Sequence, residues 1–180
     1  MRFRTRALWR AAAACAAVAA GPAAALDEID DMDDEPPVVL GYLEDAAIGL
    51  LGLEMKAKLD TGADSTSVHA RDVEIYRRPK KGSWVRFRLI GKAGRAVKYD
   101  QRIVRYARIK TKTGGSIRRP VIRMPICVGG RWGRAEINLA DRDVFEYDML
   151  IGREFLADRV LVDSGNTFAA KDDCSETNAD

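Results

Sequence analysis

Short segments in which apolar and polar residues alternate dominate the chain between residues 38 and 140. In LEMKAKLD, Met55, Ala57 and Leu59 alternate with two lysines, and WVRFRLIG (84–91) places arginines between its apolar residues in the same way. A period of two residues is typical of strands that have one buried face. The predicted strands are VVLGYLE (38–44), LEMKAKLD, WVRFRLIG, RAVKYDQRIV, RYARIKTKTGGS, SIRRPVIRMPICVGG and RWGRAEINLA.

Turn-forming sequence separates these strands. DAAIG (45–49), GKAG (91–94) and the pair Gly114-Gly115 each interrupt the alternation. Several strands at short spacing with glycine corners predict an all-β fold, either a sandwich or a barrel. Helical periodicity is weak, and the best candidate is a turn or two at 152–159. Residues 160–168 are predicted to form a terminal strand.

The N-terminal 25 residues have the pattern of a secretory signal. Four arginines without an acid are followed by the apolar run AAAACAAVAAG and by a run of small residues that ends at Ala25. A basic region, an apolar region and an A-x-A-like site predict cleavage after Ala25 and export to the periplasm. No later stretch is apolar enough to span a membrane. We therefore divide the chain into a signal (1–25), an acidic linker (26–37), a domain (38–170) and a polar tail (171–180).

Charge is distributed unevenly along the chain. DEIDDMDDE (27–35) holds seven acids and no base, which is typical of a solvated linker. Residues 77–134 hold 19 bases and one acid, Asp100. Because many of these bases alternate with apolar residues, they are expected on solvated strand faces, although an anionic partner is the other interpretation. Export and the lack of a pattern that interleaves aromatic and basic residues argue against nucleic acid as that partner.

Three cysteines are present, and Cys15 would be removed with the signal. Cys127 and Cys174 could pair in an oxidising periplasm. Sequence alone leaves open whether they pair or remain free thiols.

The candidate chemistry lies where a predicted strand ends on Asp60-Thr61-Gly62. D-T-G alone is ordinary turn sequence, but a second block, MLIGREFL (149–156), follows downstream. Together, LDTGAD and LIGR resemble the retropepsin branch of the aspartic proteases, over residues 38–168. The blocks AKLDTGADSTSVHA, RRPVIRMP, NLADRD and MLIGREFL are also similar to a bacterial retropepsin-like family commonly labelled as ATP-dependent zinc proteases.

The resemblance implies a retropepsin-like closed barrel or sandwich with one short C-terminal helix. It also implies a homodimer, because the chemistry needs two carboxylates about 3 Å apart that share one proton. Asp60 of each chain would meet at a two-fold axis. Thr61 would hydrogen-bond across that axis, and Gly62 would allow the close backbone approach.

The resemblance assigns supporting roles to both blocks. Ala63 and Asp64 would continue the loop along the substrate and the dimer interface. Ile151 and Gly152 would pass beside the catalytic aspartate. Arg153 would pair with Asp64, since the planar guanidinium binds a carboxylate with two hydrogen bonds.

The zinc and ATP label finds no support in the residues. Hydrolytic zinc needs about three protein ligands, whereas the chain has one histidine, His69, no H-E-x-x-H and no C-x-x-C. A phosphate-binding G-x-x-x-x-G-K-[ST] loop is also missing from the sequence. We interpret His69 as structural and predict no metal and no cofactor.

Two further features of the sequence concern the cleft. Asp163-Ser164-Gly165 looks like the second aspartate motif of two-lobed pepsins, but only twelve residues follow Phe168, too few for a second lobe. A retropepsin also needs a hairpin flap. The favoured flap is 84–101, turning at GKAG, and the alternative is the hairpin around 113–115. Either would give the cleft a basic rim that favours acidic peptides.

These features predict a periplasmic aspartic endopeptidase that hydrolyses peptide bonds as a homodimer. The alternative from another class is a non-catalytic module that binds peptide or an anionic envelope surface through its basic strands. A zinc peptidase is the least favoured hypothesis.

Overall fold

The computed structural model of the chain describes residues 35–110, 114–171 and 174, so the predicted signal and most of the acidic linker lie outside the described residues. The described part is mostly β-structure, with one α-helix of four residues, α1, and a short 3₁₀ turn at Lys92–Gly94. Its elements are β1 (Val38–Ile48), β2 (Leu53–Asp60), β3 (Thr66–His69), β4 (Arg71–Arg78), β5 (Gly82–Ile90), β6 (Ala96–Arg102), β7 (Arg105–Lys110), β8 (Ser116–Val128), β9 (Arg131–Ala140), β10 (Met149–Gly152), α1 (Arg153–Leu156) and β11 (Val160–Thr167).

The main sheet has eight strands and curls into a ring. Its order is β11-β1-β2-β10-β3-β9-β8-β7, and an additional pairing between β1 and β8 closes six of the strands on themselves. Aliphatic side chains from the inner faces fill the ring, among them Leu40, Ile48, Ile122, Ile137 and Ile151, each fully buried. The all-β fold with one short helix is therefore as predicted.

The predicted strands are present, and several differ from the prediction in their extent. β2 and β9 have the predicted bounds, whereas β1 continues to Ile48, through most of the segment 45–49 that the sequence predicts to be a turn. Ala46 and Ala47 are buried and Ile48 is inaccessible to solvent, so their packing keeps this segment extended and moves the turn to 49–52. β3 and β4 were not predicted.

β4, β5 and β6 form a separate three-stranded sheet that covers one side of the ring. Val85, Phe87 and Leu89 of β5 are buried against the core. The turn after β5 packs on the β1–β2 hairpin, because Lys92 pairs with Asp45 there. At Gly91, a Cβ atom would lie 2.4 Å from a backbone oxygen of β2, so the close approach requires glycine.

This contact places the GKAG turn beside the start of β2, and Asp60 is the last residue of that strand. A strand rises about 3.3 Å per residue, so the GKAG turn and Asp60 are separated by about 20 Å along β2. The interpretation of 84–101 as the flap is therefore wrong for this chain, because the segment packs at the far end of the barrel from the D-T-G loop.

The β7–β8 hairpin has a different position. β8 pairs with β7 from Ser116 to Val121 and with β9 only from Val121 onward. Its first residues and β7 therefore extend beyond the edge of β9. The tip, residues 111–113, lies outside the described residues, so the flap alternative around 113–115 falls partly there.

The C-terminal segment is attached to the barrel by strand pairing, hydrogen bonds and a disulfide. β11 is an edge strand that runs parallel to β1, as expected for the predicted terminal strand. The buried carboxylate of Glu44 accepts hydrogen bonds from the backbone N–H groups of Gly41 (2.7 Å) and Ala169 (2.8 Å). Cys127 and Cys174 form a disulfide, so the predicted tail is attached to the barrel at least at residue 174.

The N-terminal edge of the described part also contacts the barrel. Glu35, the last acid of the linker, forms an ion pair with Arg131, whose guanidinium also donates to the carbonyl oxygen of Pro36 at 3.0 Å. Within the described ranges, none of the helical structure is long and apolar enough to cross a membrane.

Candidate active site

The D-T-G loop leaves the end of β2 and folds back on its own aspartate. The backbone N–H of Gly62 donates to Asp60 Oδ1 at 3.0 Å, and the N–H of Ala63 donates to the Asp60 carbonyl oxygen at 3.2 Å. The Asp60 side chain is 28% exposed, and Thr61 and Gly62 are exposed. The carboxylate is thus held by the backbone of its own turn and still faces solvent.

β10 runs parallel to β2 and ends beside this loop. The register sets Ile151 opposite Leu59 and Gly152 opposite Asp60. A Cβ at Gly152 would lie 2.6 Å from the backbone carbon of Ser65, so only glycine allows this approach. The N–H of Gly152 donates to the hydroxyl of Thr66 at 3.3 Å. The two blocks that the sequence singled out are therefore in contact.

The start of α1 holds the rest of the loop. Backbone N–H groups of Arg153 and Glu154 donate to the carbonyl oxygens of Ala63 (2.9 Å) and Asp64 (3.0 Å). The Arg153 guanidinium forms an ion pair with the Asp64 carboxylate. Both side chains are more than half exposed, so this pair orients the loop more than it stabilises the fold. The structure brings all eight predicted site residues together, namely Asp60, Thr61, Gly62, Ala63, Asp64, Ile151, Gly152 and Arg153.

Two residues beside the loop were not predicted as site residues. Asn138 of β9 is buried and donates its side-chain N–H to the carbonyl oxygen of Thr66 at 2.7 Å. Its side-chain oxygen accepts from Arg119 of β8 at 3.4 Å. These contacts join residues 19 and 72 positions apart in the sequence, and no local pattern encodes them.

Arg142 is a buried cation near the same loop. Its Nε donates to the carbonyl oxygen of Tyr147 at 2.9 Å, and its guanidinium stacks over the Phe145 ring at 4.6 Å. Burial and the positive charge of Arg119 lower the pKa of Arg142, while the negative charges of Asp148 and Asp60 oppose this. Arg142 therefore brings positive charge within electrostatic range of Asp60.

His69, Asp141 and Asp143 lie close enough together to hold a metal ion, with ligand atoms within 4.8 Å of one another. The hydrogen bonds of His69 oppose that use. Its Nδ1 accepts a hydrogen bond from the backbone N–H of Arg142 at 2.8 Å, so a neutral imidazole must carry its proton on Nε2. A protonated Nε2, 3.5 Å from Asp143 Oδ1, has no lone pair for a metal. The donor set does not fit zinc and favours a structural His69.

Asp163 has the same local geometry as Asp60 but a different position. It accepts from the backbone N–H of Gly165 (2.8 Å) and the side chain of Asn166 (2.6 Å), and these bonds hold its pKa below the usual range. Asp163 lies opposite Gly41 of β1, and β1 separates β11 from β2. Two strand spacings, about 10 Å, are too far for two carboxylates to share a proton.

The closed β-ring, the D-T-G loop at the end of an inner strand and the parallel I-G-R strand beside it define a retropepsin-like protein. A family model described as RimB-like, retropepsin-like aspartic endopeptidase RimB, matches residues 39–173. The chain belongs to this family.

Similar proteins carry two kinds of description. A protein described as a probable α-L-glutamate ligase from Shewanella pealeana is 33% identical over 134 residues, and one from Desulfotalea psychrophila is 31% identical over 134 residues. The matches cover 72% and 69% of this chain but only 29% and 28% of those proteins, so the chain spans less than a third of their length. The crystal structure of Lpg0085 from Legionella pneumophila, described as a protein of unknown function, is 32% identical with a TM-score of 0.62, covering 74% of this chain and 98% of that one.

Proposed function

We propose that the protein is an aspartic endopeptidase whose active site forms between two copies of the chain. The observation that carries this proposal is the position of Asp60, fixed by the Gly62 N–H, beside Gly152, and open to solvent. In the dimer, one Asp60 carboxylate takes a proton from water, which attacks the scissile carbonyl. The partner's protonated carboxyl donates to the carbonyl oxygen, and the peptide C–N bond then breaks as the leaving amine is protonated.

The need for a dimer follows from the isolated carboxylate. Asp163, the other aspartate in a D-x-G turn, lies too far away to complete the dyad, and Thr61 and Gly62 are exposed in a single chain. An isologous contact around the loop would cover both residues and bring the two Asp60 side chains together. The Arg153–Asp64 pair would hold the loop in position for that contact.

We further propose that the substrate is a peptide rich in glutamate. The relatives described as probable α-L-glutamate ligases contain a segment similar to this chain within a longer protein, and such a segment would meet glutamate-rich peptide. The β7–β8 hairpin is basic, with Arg105, Arg108, Lys110, Arg118 and Arg119. A positive rim over the loop would attract an acidic peptide and favour its binding over neutral ones. This hairpin is also the flap that we favour.

We propose a periplasmic location. The N-terminal sequence has the pattern of an export signal, as argued above, and the Cys127–Cys174 disulfide supports an oxidising compartment.

A proteolysis assay with two matched variants tests the proposed activity. Asp60→Asn should lower kcat/KM for a glutamate-rich peptide by at least about 10³-fold, because the dimer then has no carboxylate to take the proton from water and no carboxylic acid to donate one. Asp163→Asn alters the same kind of turn outside the site and should leave the rate within about twofold. Both variants should retain the dimer in analytical ultracentrifugation. Full activity of Asp60→Asn would refute the proposal, and peptide binding without cleavage by the wild type would favour the non-catalytic module.

A further inference from the structure

Arg119 occupies the inner end of the β7–β8 hairpin. It precedes by two residues the point where β8 begins to pair with β9, at Val121 opposite Asn138. The side chain is half-buried, and one guanidinium nitrogen donates to the Asn138 side-chain oxygen at 3.4 Å. Arg119 therefore lies where the hairpin meets the body of the barrel.

Asn138 fixes the direction of this contact. Because its side-chain N–H donates to the Thr66 carbonyl oxygen at 2.7 Å, and lies 3.5 Å from the Ser65 hydroxyl, its oxygen must face the opposite way, toward Arg119. Asn138 is 4% exposed, so its amide has little freedom to turn. The chain of contacts leads from Arg119 to Ser65 and Thr66, which directly follow the D-T-G-A-D loop.

Arg119 forms no direct ion pair with an acid in the described ranges, although Asp141 lies within electrostatic range. Arg105 of β7 and Arg123 of β8 both pair with Glu136, at 2.6 and 3.0 Å. By contrast, no described carboxylate lies within 4.0 Å of Arg119, and the hydrogen bond to Asn138 is long. Burial lowers the pKa of Arg119, with the negative charge of Asp141 acting in the opposite direction. A half-buried guanidinium of this kind is suited to bind a carboxylate ligand with two hydrogen bonds.

We propose that Arg119, positioned by Asn138, binds the carboxylate of an acidic substrate side chain close to the scissile bond and so sets the preference for glutamate. This inference rests on the proposed function, because it assigns a residue to the recognition of the proposed substrate. A peptide held between the hairpin and the D-T-G loop would pass Arg119 on one side and Asp60 on the other. The acidic side chain of the peptide would accept hydrogen bonds from the half-buried guanidinium of Arg119.

Arg118 provides a matched control. It is the preceding residue of β8, so its side chain projects from the opposite face of the strand. It is exposed, and its guanidinium stacks over the Tyr106 ring at 4.6 Å. Arg118→Gln removes the same charge from the same hairpin without touching the Asn138 contact. Comparison of the two variants separates a specific contact from the general effect of a positive rim.

The test measures kcat/KM for a peptide with glutamates around the cleaved bond and for the same peptide with glutamines in their place. Arg119→Gln should lower the value for the glutamate peptide by about 10- to 100-fold, the range expected for a lost charged hydrogen bond. The value for the glutamine peptide should change much less. Arg118→Gln removes one solvent-screened charge of the rim and should lower the ratio between the two peptides by no more than about threefold. An unchanged ratio in Arg119→Gln, with its dimer and fold intact, would overturn the inference.

A binding measurement separates this inference from the proposed activity. The anisotropy of fluorescently labelled glutamate and glutamine peptides is followed on Asp60→Asn, with and without Arg119→Gln. If the wild type cleaves neither peptide, the proposed endopeptidase function fails. Stronger binding of the glutamate peptide that disappears with Arg119→Gln would then still support recognition by Arg119. Equal binding of the two peptides to Asp60→Asn would refute it.

Discussion

Gly152→Ala is a small change that should damage the site more than the fold. The φ and ψ of Gly152 are −88° and 169°, an extended conformation that alanine adopts freely. The problem is contact, because the new Cβ would lie 2.6 Å from the backbone carbon of Ser65 and 2.8 Å from the carbonyl oxygen of Asp64. Ordinary contact begins at 3.4 Å, so β10 and the loop must separate by about 0.8 Å, the difference between 3.4 and 2.6 Å.

The size of this displacement sets the expected effects. Forcing a methyl group into a packed position costs about 1–3 kcal/mol of unfolding free energy. A shift of about 1 Å at a catalytic group can reduce the rate by about 10²-fold. Gly152 lies opposite Asp60 in the β2–β10 register and contacts the loop that follows it, so we expect the shift to be transmitted to the carboxylate. We expect kcat/KM to fall by about 10²-fold in a protein that still folds.

Urea unfolding and cleavage of a glutamate-rich peptide measure the two effects separately, at a temperature where wild type and variant are both folded. The control is Gly165→Ala, whose Cβ would meet only Asp163 Oδ1, at 3.3 Å, and which should keep wild-type activity. A folded Gly152→Ala protein with wild-type kcat/KM would refute the proposed position of the site. Equal losses in both variants would show that the loss reports general instability.

Two predictions concern stability. Cys174→Ser removes the disulfide that closes a loop with a sequence separation of 47, and by chain entropy this loop closure contributes up to about 4 kcal/mol to stability. Urea unfolding should therefore show a lower midpoint for the variant and for the reduced wild type. Equal midpoints for the oxidised and reduced wild type would contradict the pairing. Hydrogen bonding to Arg105, with a further contribution from Arg123, lowers the pKa of Glu136. The ionised Glu136 carboxylate therefore stabilises the fold above its unfolded pKa of about 4.3. This stabilisation is lost as the pH falls through the pKa of the folded state. Glu136→Gln should therefore reduce the unfolding free energy at pH 7 and have a smaller effect at pH 3, and an equal effect at both pH values would exclude this cause.

The strands were predictable where burial follows a simple period. β2 alternates buried and more exposed residues almost throughout, and its bounds follow from the sequence alone. β4 was harder to find, because its only apolar alternation, Val73 and Ile75 interleaved with acids, is short and both side chains are exposed. Six of its eight residues are exposed and the other two are only partly buried, so the strand has no buried face. β1 extends past its predicted end because Ala46, Ala47 and Ile48 pack in the core, which sequence-based turn signals do not register.

The sequence predicted that the two blocks of the candidate site lie together, but not which distant residues contact them. Asp60 and Gly152 stand in motifs whose neighbours match a known family, and the structure sets them side by side. Arg119 and Asn138 lie on strands with ordinary alternating sequence, and only the β8–β9 register shows that they meet. The flap could not be chosen from the sequence either, because both candidate hairpins are basic and contain two glycines. Only their packing against the barrel distinguishes them.

The two D-x-G turns of this chain show why position decides the chemistry. Asp60 and Asp163 each accept a hydrogen bond from the glycine N–H two residues later, at 3.0 and 2.8 Å. Asp163 stands on an edge strand, and its second oxygen is occupied by Asn166 at 2.6 Å. Asp60 stands on an inner strand, beside a glycine that admits close approach and within range of the buried charge of Arg142. A carboxylate that is to pair with the same residue of a second chain needs the surroundings of Asp60. We therefore assign the proposed reaction to Asp60 and use Asp163 as its matched control.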